Sequence, residues 1–67
     1  DGRTPLWTAS FNGHREVVHL LLNKGAVVDK ANNAGATPLF VASQQGHMDV
    51  SRLLLERGAV VDRALSL

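Results

Sequence analysis

Apolar residues recur three and four positions apart in two stretches of this chain, which is the spacing of amphipathic helices. An acidic residue lies near the start of each stretch, and a basic residue followed by glycine ends it, as the helix dipole and the C-terminal cap favour. The pattern predicts helices over residues 15–24 and 48–57. Their apolar positions are Val17, Leu20 and Leu21 in the first and Val50, Leu53 and Leu54 in the second.

A shorter helix is predicted before each of these two. Thr4 is placed to cap a helix over residues 5–12, and Thr37 is placed to cap one over residues 38–45. Proline follows each threonine and is well tolerated at the first helical position, where no backbone N–H is needed. A glycine near the end of each helix can adopt the left-handed conformation that ends it.

The two halves of the chain are copies of each other. When residues 1–33 are laid over residues 34–66, 18 of 33 positions are identical. Such a period is the signature of stacked repeats. We therefore assign residues 1–33 to one repeat and 34–67 to a second, in which the projecting segment after the helices (called the finger below) is truncated. In the connector, residues 26–36, paired valines favour extended chain, and paired asparagines before a glycine favour a tight turn. The predicted fold is an all-α solenoid of two helix-turn-helix units joined by a hairpin-like finger.

The predicted core combines the apolar positions of all four helices. Both repeats present the same apolar pattern, so each is expected to have a face that needs a neighbour. An array of two repeats contains a single interface, whereas about three repeats are usually needed for stability. We therefore expect low stability or self-association, through Val17, Leu20 and Leu21 on one side and Val50, Leu53 and Leu54 on the other. The full predicted core is Leu6, Ala9, Val17, Leu20, Leu21, Leu39, Ala42, Val50, Leu53 and Leu54.

This organisation resembles the ankyrin repeat over nearly the whole chain. The family usually carries histidine after Thr-Pro-Leu, whereas Trp7 and Phe40 stand there, so we expect an aromatic packing contact instead. Residues 63–67 depart from the finger pattern, so we expect the array to end or to be cut there, as a fragment of a longer one. The matching stretches are residues 2–6, 9–10, 12–14, 16–18, 20–22 and 24–26, and then 35–39, 46–47, 49–50 and 53–59.

The resemblance implies a non-catalytic protein-binding module. In ankyrin repeats the fingers and first helices line a concave surface, where the variable positions contact a protein partner. Four pairs of these positions also differ between the two otherwise similar copies. Carried over by matching position, the partner-binding residues are Asp1, Arg3, Phe11, Asn12, Asn33, Ala34, Ala36, Gln44 and Gln45.

Phe11 is the strongest single candidate for a recognition anchor. Its equivalent in the second copy is Gln44, so the fold does not require an aromatic residue at this position. Aromatic residues often dominate the energetics of interfaces. The alternative is that Phe11 covers a preceding repeat, and the sequence leaves both open.

Composition and residue spacing argue against other functions. The net charge is +1 and the basic residues are scattered, which gives no reason to expect binding to nucleic acid or membrane. The absence of cysteine favours an intracellular, cytoplasmic location. His14 and His47 are repeat equivalents and are assigned to packing at the interhelical turn. We expect no catalytic residues, cofactor or metal, and we expect Asp29 and Asp62 to bond local backbone N–H groups.

Two other functional classes remain open. The array could be a structural spacer between flanking domains, or a regulatory or substrate-docking segment of a larger enzyme. An engineered repeat protein is a further alternative, although irregular replacements such as Val18 to Ser51 favour a natural chain. The sequence beyond residue 67 would discriminate the first two alternatives.

Overall fold

The computed structural model describes residues 1–61, and the regular structure it describes is helical apart from turns. The helices are α1 (Pro5–Asn12), α2 (Arg15–Asn23), α3 (Pro38–Gln44) and α4 (Met48–Glu56). All four predicted helices are confirmed with bounds within one residue, and so is the all-α repeat fold. A two-residue turn joins α1 to α2, which brings the two helices side by side.

The first helix of each repeat begins as its sequence predicts. The Thr4 hydroxyl accepts a hydrogen bond from the Trp7 backbone N–H at 3.1 Å, and Thr37 accepts one from Phe40 at the same distance. Gly13 ends α1 with a φ of 74°, a left-handed conformation that costs glycine little. Because such short helices do not persist alone, these local bonds fix their ends while packing stabilises them.

The finger between the repeats contains the predicted tight turn. The backbone N–H of Asn32 donates to the Ala36 carbonyl at 3.0 Å. The Asn32 side-chain oxygen accepts from the N–H groups of Ala34 at 3.1 Å and Ala36 at 3.0 Å. The Asn33 N–H then donates to the Asp1 carbonyl at 2.8 Å, which ties the finger to the segment before α1.

The core lies between two layers of helices. First helices α1 and α3 pack against each other, second helices α2 and α4 do the same, and each repeat packs its own pair together. Burial of these apolar side chains is the main stabilising contribution to a chain of this size. The buried cluster consists of Leu6, Ala9, Val18, Leu22, Leu39, Ala42, Val50, Leu53, Leu54 and Ala59.

The predicted core is wrong at two of its three α2 positions, since Val17 is 45% exposed and Leu20 is 58% exposed. Leu21, the third, is partly buried and packs against the core cluster. The buried residues of this helix are instead Val18, with none of its surface exposed, and Leu22, with 7% exposed. Apolar residues lie on two sides of α2. The prediction placed the side with Val17 and Leu20 in the core, but that side has no neighbour in the described structure.

The same positions are buried in α4 because each helix meets its neighbour with a different side. Val50 and Leu53, the equivalents of Val17 and Leu20, are 0% and 4% exposed against the first repeat. Leu55, the equivalent of buried Leu22, is 45% exposed. The predicted second end face, built on Val50, Leu53 and Leu54, is therefore wrong, since those residues fill the interior.

A polar contact also joins the segment after α2 to the segment after α4. The Asp29 carboxylate accepts a hydrogen bond from the Val60 backbone N–H at 3.1 Å. The expected bond to local backbone is therefore wrong for Asp29, which instead ties together segments 31 residues apart. Asp62 and the departure from the finger pattern at residues 63–67 lie outside the described residues.

Candidate binding surface

The segment before α1 is held in place by an ion pair between two of the predicted partner-binding residues. The Arg3 guanidinium contacts the Asp1 carboxylate at 2.7 Å through Nη2 and at 2.8 Å through Nε. The Arg3 backbone N–H donates to the same carboxylate at 3.1 Å. Both side chains are about half exposed, so the pair adds little stability, but it fixes the direction of the arginine.

Arg3, Trp7 and Phe11 form a continuous stack, called here the aromatic stack. The guanidinium carbon of Arg3 lies 5.6 Å from the Trp7 ring centroid, within the range of a cation–π contact. The Trp7 and Phe11 centroids are 5.5 Å apart with an interplanar angle of 10°. The two rings meet because residues four apart lie on the same face of a helix.

Trp7 is the fixed centre of the aromatic stack. Its side chain is only 6% exposed, and its ring N–H donates to the Ala36 carbonyl at 2.9 Å. Ala36 and Val41 are buried around it, with Phe40 packed alongside. The expected aromatic packing contact in place of the family histidine is therefore confirmed. The Ala36 side chain is buried, so this residue contributes its carbonyl to the support of Trp7.

Phe11 is held from both sides of the repeat boundary. Its ring rests on Trp7, and its backbone carbonyl accepts a hydrogen bond from His47 Nε2 at 3.0 Å. Glycine at position 13 allows this approach, because a Cβ there would lie 2.5 Å from the His47 ring. The expected packing at an interhelical turn is confirmed for His47 and is wrong for its repeat equivalent His14, which is exposed. Phe11 keeps 37% of its surface exposed, so a ring that is stacked on Trp7 is still partly open to solvent.

The remaining predicted residues are all exposed: Asn12, Asn33, Ala34, Gln44 and Gln45. Within residues 1–61, the side chains of Asn12, Gln44 and Gln45 make no hydrogen bond, so their amides can bond a partner. Asn33 and Ala34 form the tip of the finger, where their backbone N–H groups are already used. Hydrogen bonds and the aromatic stack thus link Asp1, Arg3, Phe11, Asn33 and Ala36. Asn12, Gln44 and Gln45 lie at the ends of α1 and α3, two helices that pack against each other.

The contribution of Trp7 to this surface was not predicted. Trp7 and Phe40 share one repeat position, for which one packing role was expected. The available signal was the indole N–H, which phenylalanine lacks and which needs a partner when it is buried. That partner is the carbonyl of Ala36, 29 residues away, which no local pattern could identify.

The described residues contain neither a metal-binding cluster nor a membrane-spanning helix. Residues 1–61 contain no group of three or more His, Cys, Asp or Glu side chains placed to hold a metal ion. His14 and His19 are exposed. None of the four helices is long and apolar enough to cross a membrane. The chemical groups of the surface are therefore stacking faces, amides and one paired arginine.

A family model described as Ankyrin repeats (3 copies) matches residues 1–64. The match covers nearly the whole chain, which therefore belongs to the ankyrin repeat family. Ankyrin repeats are generally protein–protein interaction modules and are typically not catalytic. No curated protein matches this chain.

Proposed function

We propose that this chain is a non-catalytic module that binds a protein partner through its finger and the exposed ends of α1 and α3. The observation that carries the proposal is the exposed Phe11 ring, fixed by Trp7 on one side and by His47 through its backbone. A ring that already packs against a neighbouring ring loses less conformational freedom when a partner covers it. Buried aromatic residues of this kind dominate the energy of many interfaces.

The exposed amides at the ends of α1 and α3 suit the rim of such an interface. Asn12, Gln44 and Gln45 offer amides that both donate and accept, and interface rims are rich in such polar contacts. Arg3 is already paired with Asp1, so the surface has little net charge to steer an ionic partner. The surface therefore favours a partner that places an apolar or aromatic side chain on Phe11 and backbone groups against the amides.

The proposed partner-binding residues are those predicted from the sequence, but they do not all act by direct contact. Arg3, Phe11 and the exposed amides contact the partner, whereas Ala36 acts through its bond to Trp7. We also propose the repeat boundary at residues 33 and 34, because the α1–α2 and α3–α4 pairs lie on either side of it. An intracellular location stays a prediction from the sequence.

The partner is first captured with this chain, identified by mass spectrometry and purified. The test then compares the affinities of two substituted chains for this partner. Phe11→Gln introduces the residue that the second repeat carries at the equivalent position, and should weaken binding about 30-fold or more, as for an interface hot spot. Arg3→Ala should weaken binding while leaving the free energy of unfolding within about 0.5 kcal/mol, since its ion pair is exposed.

His19→Ala is the matched control, because His19 is exposed on α2 and outside the proposed surface. It should leave the affinity unchanged in isothermal titration calorimetry. An affinity that survives both Phe11→Gln and Arg3→Ala would refute the site. If this chain is required for function while no partner contacts this surface, the alternative of a structural spacer is favoured.

A further inference from the structure

Asn12 and Gly13 form the single Asn-Gly pair in the sequence, and they lie at the end of α1. The other three asparagines, Asn23, Asn32 and Asn33, are followed by residues that carry a side chain. This difference matters because the backbone nitrogen after an asparagine can attack the side-chain amide carbon, and a side chain on the attacking residue obstructs the approach. The Asn12 side chain is also exposed. The chain therefore contains one asparagine that is well suited to this reaction.

The reaction converts the Asn12 side chain to a carboxylate. The Gly13 backbone nitrogen loses its proton and forms a bond to Cγ of Asn12, while the bond from Cγ to the amide nitrogen breaks and ammonia leaves. The product is a cyclic imide, which water opens. Water that adds to Cγ gives aspartate, whereas water that adds to the backbone carbonyl carbon gives isoaspartate, which has one more methylene in the main chain. Water is the only co-reactant.

The folded turn after α1 opposes this attack. The Gly13 N–H donates to the Ser10 carbonyl at 3.2 Å, and the His14 N–H donates to the Ala9 carbonyl at 3.0 Å. A nitrogen whose proton is held in a hydrogen bond is a poor nucleophile. Closing the imide ring also requires a backbone ψ far from the helical value, and Asn12 is the last helical residue of α1. The turn must therefore open before Asn12 can react.

His47 holds this turn closed from the second repeat. Its Nε2 donates to the Phe11 carbonyl at 3.0 Å, and its ring lies so close to Gly13 that a Cβ there would be 2.5 Å from Nδ1. The Phe11 carbonyl is one of those at the end of α1 that have no partner within the helix. Opening the turn therefore breaks a hydrogen bond and a packing contact that both come from His47.

We propose that Asn12 is a site of spontaneous deamidation and that His47 sets the rate of this reaction by holding the turn after α1 closed. The reaction proceeds from a locally open form, in which the bonds of Gly13 and Phe11 are broken while the rest of the fold persists. Local openings of this kind have lower free energies than unfolding of the whole chain. The inference goes beyond the proposed function, because the reaction needs no partner.

Deamidation would also change the proposed binding surface, a consequence that rests on the proposed function. A carboxylate at position 12 only accepts hydrogen bonds, whereas the amide of Asn12 both donates and accepts. The new negative charge lies at the C-terminal end of α1, where the helix dipole disfavours it. Isoaspartate in addition lengthens the main chain next to Phe11. Deamidated chains are therefore expected to bind the partner more weakly.

Peptide mapping by mass spectrometry measures the reaction in the 67-residue chain, kept in alkaline buffer so that the backbone nitrogen loses its proton more readily. Asn12 should be converted before any other asparagine, with isoaspartate among the products. Asn12→Gln is the matched control, because the second repeat carries Gln45 at this position and glutamine would have to close a larger ring. This variant should give no product at position 12. Faster conversion of another asparagine would overturn the proposal.

Two substitutions test the role of His47. His47→Ala should accelerate the deamidation of Asn12 about three- to tenfold, the effect of losing one hydrogen bond from the closed turn. His47→Gln keeps an N–H donor in place of Nε2 and should react at a rate closer to that of the wild type. Hydrogen exchange of the Gly13 amide should rise by the same factor as deamidation in His47→Ala, because both need the same opening. An unchanged rate in His47→Ala would contradict the assigned role.

Urea distinguishes local opening from unfolding of the whole chain and needs no variant. Opening one turn exposes little surface, so the deamidation rate should stay nearly constant at urea concentrations below the unfolding transition. Above the transition the rate should rise, since the unfolded chain lacks the bonds that protect Gly13. The proposal fails if the rate follows the unfolding equilibrium at all urea concentrations, or if folded and unfolded chains react equally fast.

The consequence for binding is measured separately. The deamidation experiments use the chain without a partner, so their failure would overturn the reaction and leave the proposed function standing. Asn12→Asp carries one of the two products and should weaken binding of the purified partner about three- to tenfold, the effect of losing one hydrogen bond. An unchanged affinity of Asn12→Asp in isothermal titration calorimetry would overturn the expected effect on binding.

Discussion

Alanine at Leu53 and at its repeat equivalent Leu20 should have very different effects on the free energy of unfolding. Leu53 is 4% exposed and Leu20 is 58% exposed, although both occupy the same position of the same sequence pattern. A second pair reverses the order of the repeats, since Leu22 is 7% exposed and its equivalent Leu55 is 45% exposed. The four variants together separate burial from sequence position.

The magnitudes follow from how much apolar surface each side chain buries. Leucine to alanine at a buried site loses about 0.8 kcal/mol for each buried methylene and leaves a cavity, which together cost about 2–5 kcal/mol. We assign that cost to Leu53→Ala and Leu22→Ala. Leu20→Ala and Leu55→Ala remove side chains that are already half in water and leave no closed cavity, so about 1 kcal/mol or less is expected.

Urea unfolding followed by circular dichroism measures these differences. At about 0.05–0.15 kcal/mol per residue, a chain of 67 residues has about 3–10 kcal/mol of stability, so the buried variants approach complete unfolding. A constant concentration of a stabilising osmolyte gives every variant a measurable native baseline. Low micromolar protein is used for all four variants, because Leu20 and Leu55 are exposed apolar side chains.

Equal costs within either repeat-equivalent pair would refute this account of the core. If Leu20→Ala cost as much as Leu53→Ala, both sides of the stack would be buried in solution. If Leu22→Ala cost as little as Leu55→Ala, the second repeat would not pack on the first as the structure describes.

Two further substitutions test the polar contacts of the interior. Trp7→Phe places in the first repeat the residue found in the second, and the lost ring N–H leaves the Ala36 carbonyl without this donor. It should cost about 1–3 kcal/mol in urea unfolding, and no loss would show that the bond contributes nothing. Ser10→Ala removes a hydroxyl that is fully buried without a partner among the described residues, so it should be neutral or stabilise by up to about 1 kcal/mol. A clear drop in the thermal midpoint of Ser10→Ala would mean that this hydroxyl has a partner in solution.

The helices and the finger could be predicted because local interactions specify them. The threonine caps act over three residues, the glycine at the end of α1 acts within one turn, and Asn32 organises a turn of five residues. Each of these contacts uses residues that are neighbours in the printed sequence. Their residue types therefore predicted the elements and their bounds.

The buried side of α2 could not be predicted from that helix alone. Apolar residues lie on both of its sides, as expected for a helix placed between two neighbours, and only the packed neighbour decides which side is buried. Asp29 gives the same lesson, since its partner Val60 is a backbone group 31 residues away. Residues that need partners can be recognised in the sequence, while the packing of the two repeats determines which partner each one meets.

The partner-binding positions follow from the resemblance and from the variation between the two copies. What the sequence did not provide was the order among them. The structure distinguishes Phe11, which is stacked on Trp7 and partly exposed, from Ala36, whose side chain is buried. That distinction depends on Trp7 and its contact across the finger, which only the folded chain reveals.

Chemical-shift mapping of the ¹⁵N-labelled chain against its purified partner tests the central claim most directly. Protein binding through the proposed surface predicts the largest amide shifts at Arg3 and Phe11, in the finger around Asn33, and at Gln44. The exposed back of α2 around His19 should show little change. Shifts concentrated on α2 and α4, with the aromatic stack unperturbed at saturation, would contradict the account.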